Sequence, residues 1–131
     1  MLTLRSVNHI GIRITDRARS VEFYARLGFQ LVWEHPAGTV MILRNAAGIE
    51  INFIVNGKPY GGDQNPLMDL ADKYPGYTHV AFDIESIDTT LAALATAGIP
   101  VSGGPERLGD GLSLFIRDPD RNVIELRQTG L

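Results

Sequence analysis

The chemistry this chain could perform starts with two histidines and two glutamates. His9 and His79 each open a strand-like run, His9-Ile10-Gly11-Ile12-Arg13-Ile14 and His79-Val80-Ala81-Phe82-Asp83-Ile84. Glu50 and Glu125 follow an isoleucine in two further apolar runs, Ile49-Glu50 and Ile124-Glu125. Neutral imidazole with carboxylate is a donor set for Zn, Ni, Co, Mn or Fe(II). Cys is absent, which rules out disulfides, thiolate metal sites and thiol nucleophiles. A metal on the remaining donors would keep positions open for water or substrate, as a catalytic centre does. An antiparallel sheet often leaves one face to solvent, where His and Glu are ordinary. Their coincidence at matching places in two segments gives a shared metal site equal weight with that reading. The third histidine, His35, adjoins a turn at Pro36 and reads as an exposed loop residue.

The elements that must position them form an internal repeat. Aligning the two His runs also aligns Gly28-Phe29 with Gly98-Ile99, Leu43-Arg44-Asn45 with Ile116-Arg117-Asp118, and Ile49-Glu50 with Ile124-Glu125. The offset drifts from 70 for the histidines to 75 for the glutamates, which turn insertions would produce. The first copy reads as a strand at 6–14, then a helix capped by Asp16 and ended at Gly28. Strands follow at 29–35, 38–44 and 48–55. The second copy reads as a strand at 77–84, then a helix capped by Ser86 or Asp88 and ended at Gly98. Its later strands fall near 99–102, 112–117 and 123–128. Residues 56–76, rich in Gly and Pro, read as a linker with a short helix at 67–73. Residues 103–111 read as a Gly-hinged lid. The whole is one domain: module 1 at 4–55, the linker, and module 2 at 77–129.

Strand parity assigns the faces. Ile10, Ile12 and Ile14 share one face and His9, Gly11 and Arg13 the other. Ile49, Ile51, Phe53 and Val55 oppose Glu50 and Asn52. Val80, Phe82 and Ile84 oppose His79, Ala81 and Asp83, while Ile124 and Leu126 oppose Glu125 and Arg127. Each strand offers an apolar face to its helix and a polar face that carries the candidate ligands.

Composition narrows the partners. Of 131 residues, 12 are Lys or Arg and 15 are Asp or Glu, for a net charge of −3. That balance lacks the basic excess that neutralises phosphates, so nucleic acid is not expected as a partner. No run approaches the roughly 20 apolar residues of a membrane span. The first residues, Met1-Leu2-Thr3-Leu4-Arg5-Ser6, lack a signal-peptide pattern. A cytoplasmic, non-membrane domain is the expectation.

Several motifs together resemble the vicinal oxygen chelate superfamily, whose members include glyoxalase I, extradiol dioxygenases and bleomycin-binding proteins. They are Val7-Asn8-His9-Ile10-Gly11-Ile12, Ser20-Val21-Glu22-Phe23-Tyr24 with Leu27-Gly28-Phe29, Gly48-Ile49-Glu50, Thr78-His79-Val80-Ala81-Phe82, and Asp118-Pro119-Asp120 with Val123-Ile124-Glu125-Leu126. The resemblance covers nearly the whole chain. It implies an α+β fold of two βαβββ modules, with a mixed curved sheet forming a half-barrel around a divalent metal. It also implies a homodimer in which modules are shared. Glyoxalase I is the most similar at the metal positions, which implies His9, Glu50, His79 and Glu125 as ligands. Arg13 then falls where an Arg takes the glutamyl carboxylate of glutathione, a cosubstrate, and Arg107 lies near a Lys for its glycine end. Ile54 stands where bacterial glyoxalase I has a glutathione-binding Asn. Asn52 joins Arg13 and Arg107 as a substrate-binding candidate by parity. The implied reaction is that of a metal-dependent lyase or isomerase, passing through a metal-bound enediolate with Glu125 or Glu50 as the base. The rivals are a three-ligand enzyme of the same fold, either an extradiol dioxygenase or a fosfomycin-type thiol transferase, and a metal-free drug-binding module.

Overall fold

The computed structural model describes residues 1–130. The chain folds as two compact units, the first spanning Met1–Pro59 and the second beginning at Tyr60. Each has one strand, one helix and three more strands, so the structure is α+β with two βαβββ modules.

Unit 1 runs β1 (Ile10–Arg13), α1 (Arg17–Arg26), β2 (Gln30–Glu34), β3 (Val40–Arg44) and β4 (Glu50–Ile54). The sheet order is β1-β4-β3-β2, with β1 parallel to β4 and the other pairs antiparallel. The helix starts where Asp16 accepts a hydrogen bond from the Arg19 amide at 2.8 Å, satisfying one of the orphan N–H groups of the first turn. It ends before Gly28, whose φ of 93° suits a residue without Cβ. Ser20, Phe23 and Tyr24 are the buried residues of α1. The core of the unit also holds Ile14, Phe29, Met41, Leu43, Ile51 and Phe53. Tyr24 packs edge-on against Phe23 and Phe53, with centroids 5.2 and 5.4 Å away. The strand alternation is therefore as parity requires: Ile51 and Phe53 are buried, whereas Glu50 and Asn52 lie on the other face and are half-buried.

Unit 2 runs β5 (His79–Asp83), α2 (Ile87–Ala97), β6 (Gly103–Leu108), β7 (Gly111–Arg117) and β8 (Val123–Thr129). Its order, β5-β8-β7-β6, repeats that of unit 1 with the same single parallel pair. Ser86, not Asp88, caps α2, and Gly98 closes it in the left-handed region at φ 70°. Ile87, Leu94, Ile99, Leu114, Ile116, Ile124 and Leu126 are buried in its core.

Three expectations need correction. The strand expected near 99–102 lies instead at Gly103–Leu108. Ile99 is still engaged with the end of α2, its N–H donating to the Leu94 carbonyl, and Pro100 has no N–H for a ladder. The expected lid at 103–111 is consequently a hairpin, with only Gly109 and Asp110 between β6 and β7. The short helix at 67–73 does not form. Asn65 takes the segment instead, its Oδ1 accepting from the Leu67 and Met68 amides at 3.0 and 3.1 Å. Its amide donates to Asn122 Oδ1 at 3.0 Å. Asp69 receives both Nη atoms of Arg117 at 2.9 Å. Asn65 and Asp69 thus tie this segment to the end of β7 and the turn before β8.

Candidate active site

In unit 1 the register Ile10↔Ile51 continues outward to set His9 beside Glu50. His9 Nδ1 lies 4.0 Å from Glu50 Oε2. The same nitrogen is 2.7 Å from Asn8 Oδ1. An amide oxygen only accepts, so Nδ1–H donates to it; in the neutral ring Nε2 is then the nitrogen with the lone pair, the form a metal ligand needs. Glu50 is the first residue of β4 and pairs with Arg44 across the sheet. Arg44 Nε and Nη2 both meet Glu50 Oε1, at 3.0 and 2.9 Å. Farther along the same face, Gly11 pairs with Asn52, and a Cβ on Gly11 would meet nothing within 4 Å. The floor between His9 and Arg13 is therefore open. Asn52 Oδ1 is buried and accepts no hydrogen bond, an unmet acceptor of the kind that ligand groups satisfy. Arg13 Nε donates to Asn56 Oδ1 at 2.9 Å, so Asn56 orients the guanidinium.

Unit 2 repeats the plan with different chemistry. His79 Nε2 meets Glu125 Oε1 at 3.1 Å, and its Nδ1 lies 2.8 Å from the Thr78 hydroxyl. A carboxylate oxygen only accepts, so Nε2–H donates to Glu125 and Nδ1 accepts from the Thr78 hydroxyl. Glu125 is buried, yet both its oxygens are partnered. Ser113, fully buried, supplies the second contact, Oγ to Oε2 at 2.9 Å. Arg127 Nη1 donates to the same hydroxyl at 3.0 Å. Because guanidinium has no acceptor, the single hydroxyl proton must point at Glu125. Arg127 is itself held by Asp110 Oδ1 at 2.8 Å and by the Leu108 carbonyl. Phe115 pairs with Glu125 across the sheet and meets the His79 ring edge-on at 6.4 Å between centroids.

The four expected ligands thus stand as two His–Glu pairs, one in each unit. Among the described residues, no group of three or more His, Asp or Glu side chains could hold a metal. Each pair offers two donors, fewer than the three protein ligands usual in a catalytic centre. Arg13 and Asn52 share the face of the first pair. Arg107 does not share the face of the second: it pairs with Leu112, one step out of phase with Ser113, and so points away from Glu125.

Sequence reading passed over Ser113, Arg44 and Asn56 as site residues. Ser113 pairs with Arg127, a cross-strand register that parity along one strand does not give. Arg44 was hidden by the repeat alignment, which set it against Arg117. The structure shows that Arg44 pairs with Glu50, whereas Arg117 pairs with Val123 and Phe115 with Glu125. Glu125 lies one pleat farther from its turn than Glu50 does.

A model of the Glyoxalase/Bleomycin resistance protein/Dioxygenase superfamily matches residues 6–126. The chain belongs to that superfamily. Among relatives, it is 32% identical over 130 residues to the glyoxalase domain-containing protein RDO1 of Mycosarcoma maydis, covering 95% of this chain and 69% of that one. It is 30% identical to a probable lactoylglutathione lyase of Synechocystis, covering 92% and 93%. Among solved structures, a glyoxalase/dioxygenase from Nostoc punctiforme superposes with a TM-score of 0.73 at 25% identity, over 95% of this chain and 91% of that one. Membership of the superfamily agrees with the order of both sheets. One fold of this kind hosts many reactions, so the choice among them rests on the two His–Glu pairs.

Proposed function

We propose that this superfamily member is a metal-dependent lyase or isomerase of glyoxalase type, acting on a hemithioacetal or a similar substrate with two adjacent oxygens. The observation that carries the reading is the pair of pairs: in each unit a histidine faces one oxygen of a half-buried or buried glutamate whose other oxygen is already held. Two imidazoles and two carboxylates, with no thiolate, fit a divalent ion such as Ni, Zn, Co, Mn or Fe(II). His9, Glu50, His79 and Glu125 would hold it, supplied within one chain or shared in a homodimer. When bound, the ion supplies Lewis acidity toward adjacent substrate oxygens.

The chain's own residues do the rest. Glu125 Oε1 moves the proton between neighbouring carbons, first as base and then as acid. Ser113 holds Oε2, and Oε1 is the oxygen that faces His79. Arg13, steadied by Asn56, takes a substrate carboxylate, with glutathione as the carrier the family resemblance suggests. Asn52 Oδ1 accepts a donor from the substrate over the open floor at Gly11.

The test is turnover of the methylglyoxal–glutathione hemithioacetal by Ni²⁺- and Zn²⁺-loaded protein. Turnover that Glu125→Gln lowers by about 100-fold or more supports the reading. Full activity in both Glu125→Gln and Glu50→Gln contradicts it.

A further inference from the structure

Cross-strand register lays out the open face of unit 1 in rows. Arg13 pairs with Ile54, and Ile54 with Val40. In the next row Gly11 pairs with Asn52, Asn52 with Ile42, and Ile42 with Trp33. Val40, Ile42 and Ile54 are half-buried there, and Trp33, the one Trp of the chain, is exposed. Beside Arg13 the face is therefore an apolar strip interrupted by Asn52. Arg13 itself differs from five other arginines. Arg17, Arg26, Arg44, Arg117 and Arg127 each meet a carboxylate of their own unit. Arg13 meets the neutral Asn56 and makes no ion pair among the described residues. Its stem runs close to Gly57, where a Cβ would come within 3.3 Å of Arg13 Cγ. A cation held in place at the border of an apolar strip lacks only its counter-ion.

We propose that this face of unit 1 binds a carboxylate with an apolar body, Arg13 taking the carboxylate and Ile54, Val40 and Ile42 the body. The inference rests on the reading of Arg13 above, as the group that takes a substrate carboxylate, and deepens it by naming the substrate class. Asn56 engages Nε, which leaves the two Nη groups for a bidentate contact. Neighbouring strands lie about 4.8 Å apart, so an apolar body of about 10 Å reaches from β1 over Ile54 to Val40 and Ile42. Covering those side chains removes apolar surface from water on both partners. A peptide-like body loses that gain, because its own amides need partners and Asn52 is the one amide in these rows. A carboxylate carried on a ring or alkyl chain therefore suits this face better than glutathione does.

The test is calorimetric titration of metal-stripped protein with 4-phenylbutyrate, beside butyrate, 4-phenylbutanol and glutathione. Metal plays no part in it, so its failure and the failure of the metal reading are separate results. The other three compounds are expected to bind more weakly than 4-phenylbutyrate by about tenfold or more, since each lacks either the charge or the apolar body. Arg13→Met, which keeps an unbranched apolar stem at an exposed position, should reduce binding of 4-phenylbutyrate to the level of 4-phenylbutanol. Ile42→Thr, still β-branched and suited to a strand, should weaken it by about threefold or more. Because Ile42 pairs with Trp33, binding should also shift Trp33 emission. No binding of 4-phenylbutyrate, butyrate or glutathione binding as tightly as it does, or affinity that Arg13→Met leaves unchanged overturns the proposal.

Discussion

At the scale of single residues, the site is a matter of which oxygen is free. Ser113 is the clearest case. It sits fully buried between Arg127 and Glu125, and its one proton can go only to the glutamate. Replacing it by Ala leaves a buried carboxylate short of a donor and an arginine short of an acceptor. Residues that orient metal ligands commonly contribute 10–100-fold to metal affinity. Ser113→Ala is therefore expected to weaken Ni²⁺ binding by about 10-fold or more, measured by calorimetry; unchanged affinity would refute the role. The two His–Glu pairs were legible in the sequence because two histidines and two glutamates recur on polar strand faces. Ser113, Asn56 and Arg44 were not, because their roles depend on cross-strand register, and a Ser or Arg on a strand carries no signal of its own. The drift between repeats hid Arg44 in particular: counting from the turns equates it with Arg117, while the pairing sets it against Glu50.

At the scale of elements, the helices were readable from their ends and the strands from alternation. Asp16, Ser86, Gly28 and Gly98 mark helix boundaries by chemistry that is local to the chain. Asp16→Ala should remove the cap of α1 and cost about 1 kcal/mol, lowering the unfolding temperature by roughly 4 °C in calorimetry. The errors fell where tertiary contacts decide. Gly103–Leu108, with its Gly-Gly-Pro start, has little local strand character. It pairs because β7 offers a ladder, and its register slips between Gly103 and Glu106. Residues 67–73 have a helix-like apolar spacing, but Asn65 and the Asp69–Arg117 ion pair take their place in the fold. That ion pair gives a pH prediction. Hydrogen bonds from Arg117 and from the Asn65 amide lower the Asp69 pKa from 3.8 to about 2. A carboxylate with a depressed folded pKa adds stability above its unfolded value and loses it as pH falls through the folded one. The contribution, about 1–2 kcal/mol after allowance for its partial exposure, should be complete above pH ~4 and gone below pH ~2. Asp69→Asn should accordingly narrow the stability difference between pH 5 and pH 2, measured by urea unfolding; an unchanged difference would contradict the assignment.

At the scale of the whole molecule, each of the two modules carries one His–Glu pair, half of the proposed donor set. Neither half is enough for a catalytic metal by the usual count of three protein ligands. The copies are not equivalent: Glu50 meets the Arg44 guanidinium directly, whereas Glu125 takes a hydroxyl hydrogen bond from Ser113 with Arg127 Nη1 4.0 Å away, and only Glu50 shares its face with Arg13 and Asn52. The central claim is that His9, Glu50, His79 and Glu125 act as one metal-binding set. The direct test is calorimetric titration of metal-stripped protein with Ni²⁺ and Zn²⁺, beside His9→Ala, Glu50→Ala, His79→Ala and Glu125→Ala. One tight site per chain, weakened by about 10-fold or more in every variant, is the predicted result. Absence of tight binding in the wild type, or tight binding indifferent to substitutions in either unit, would contradict it.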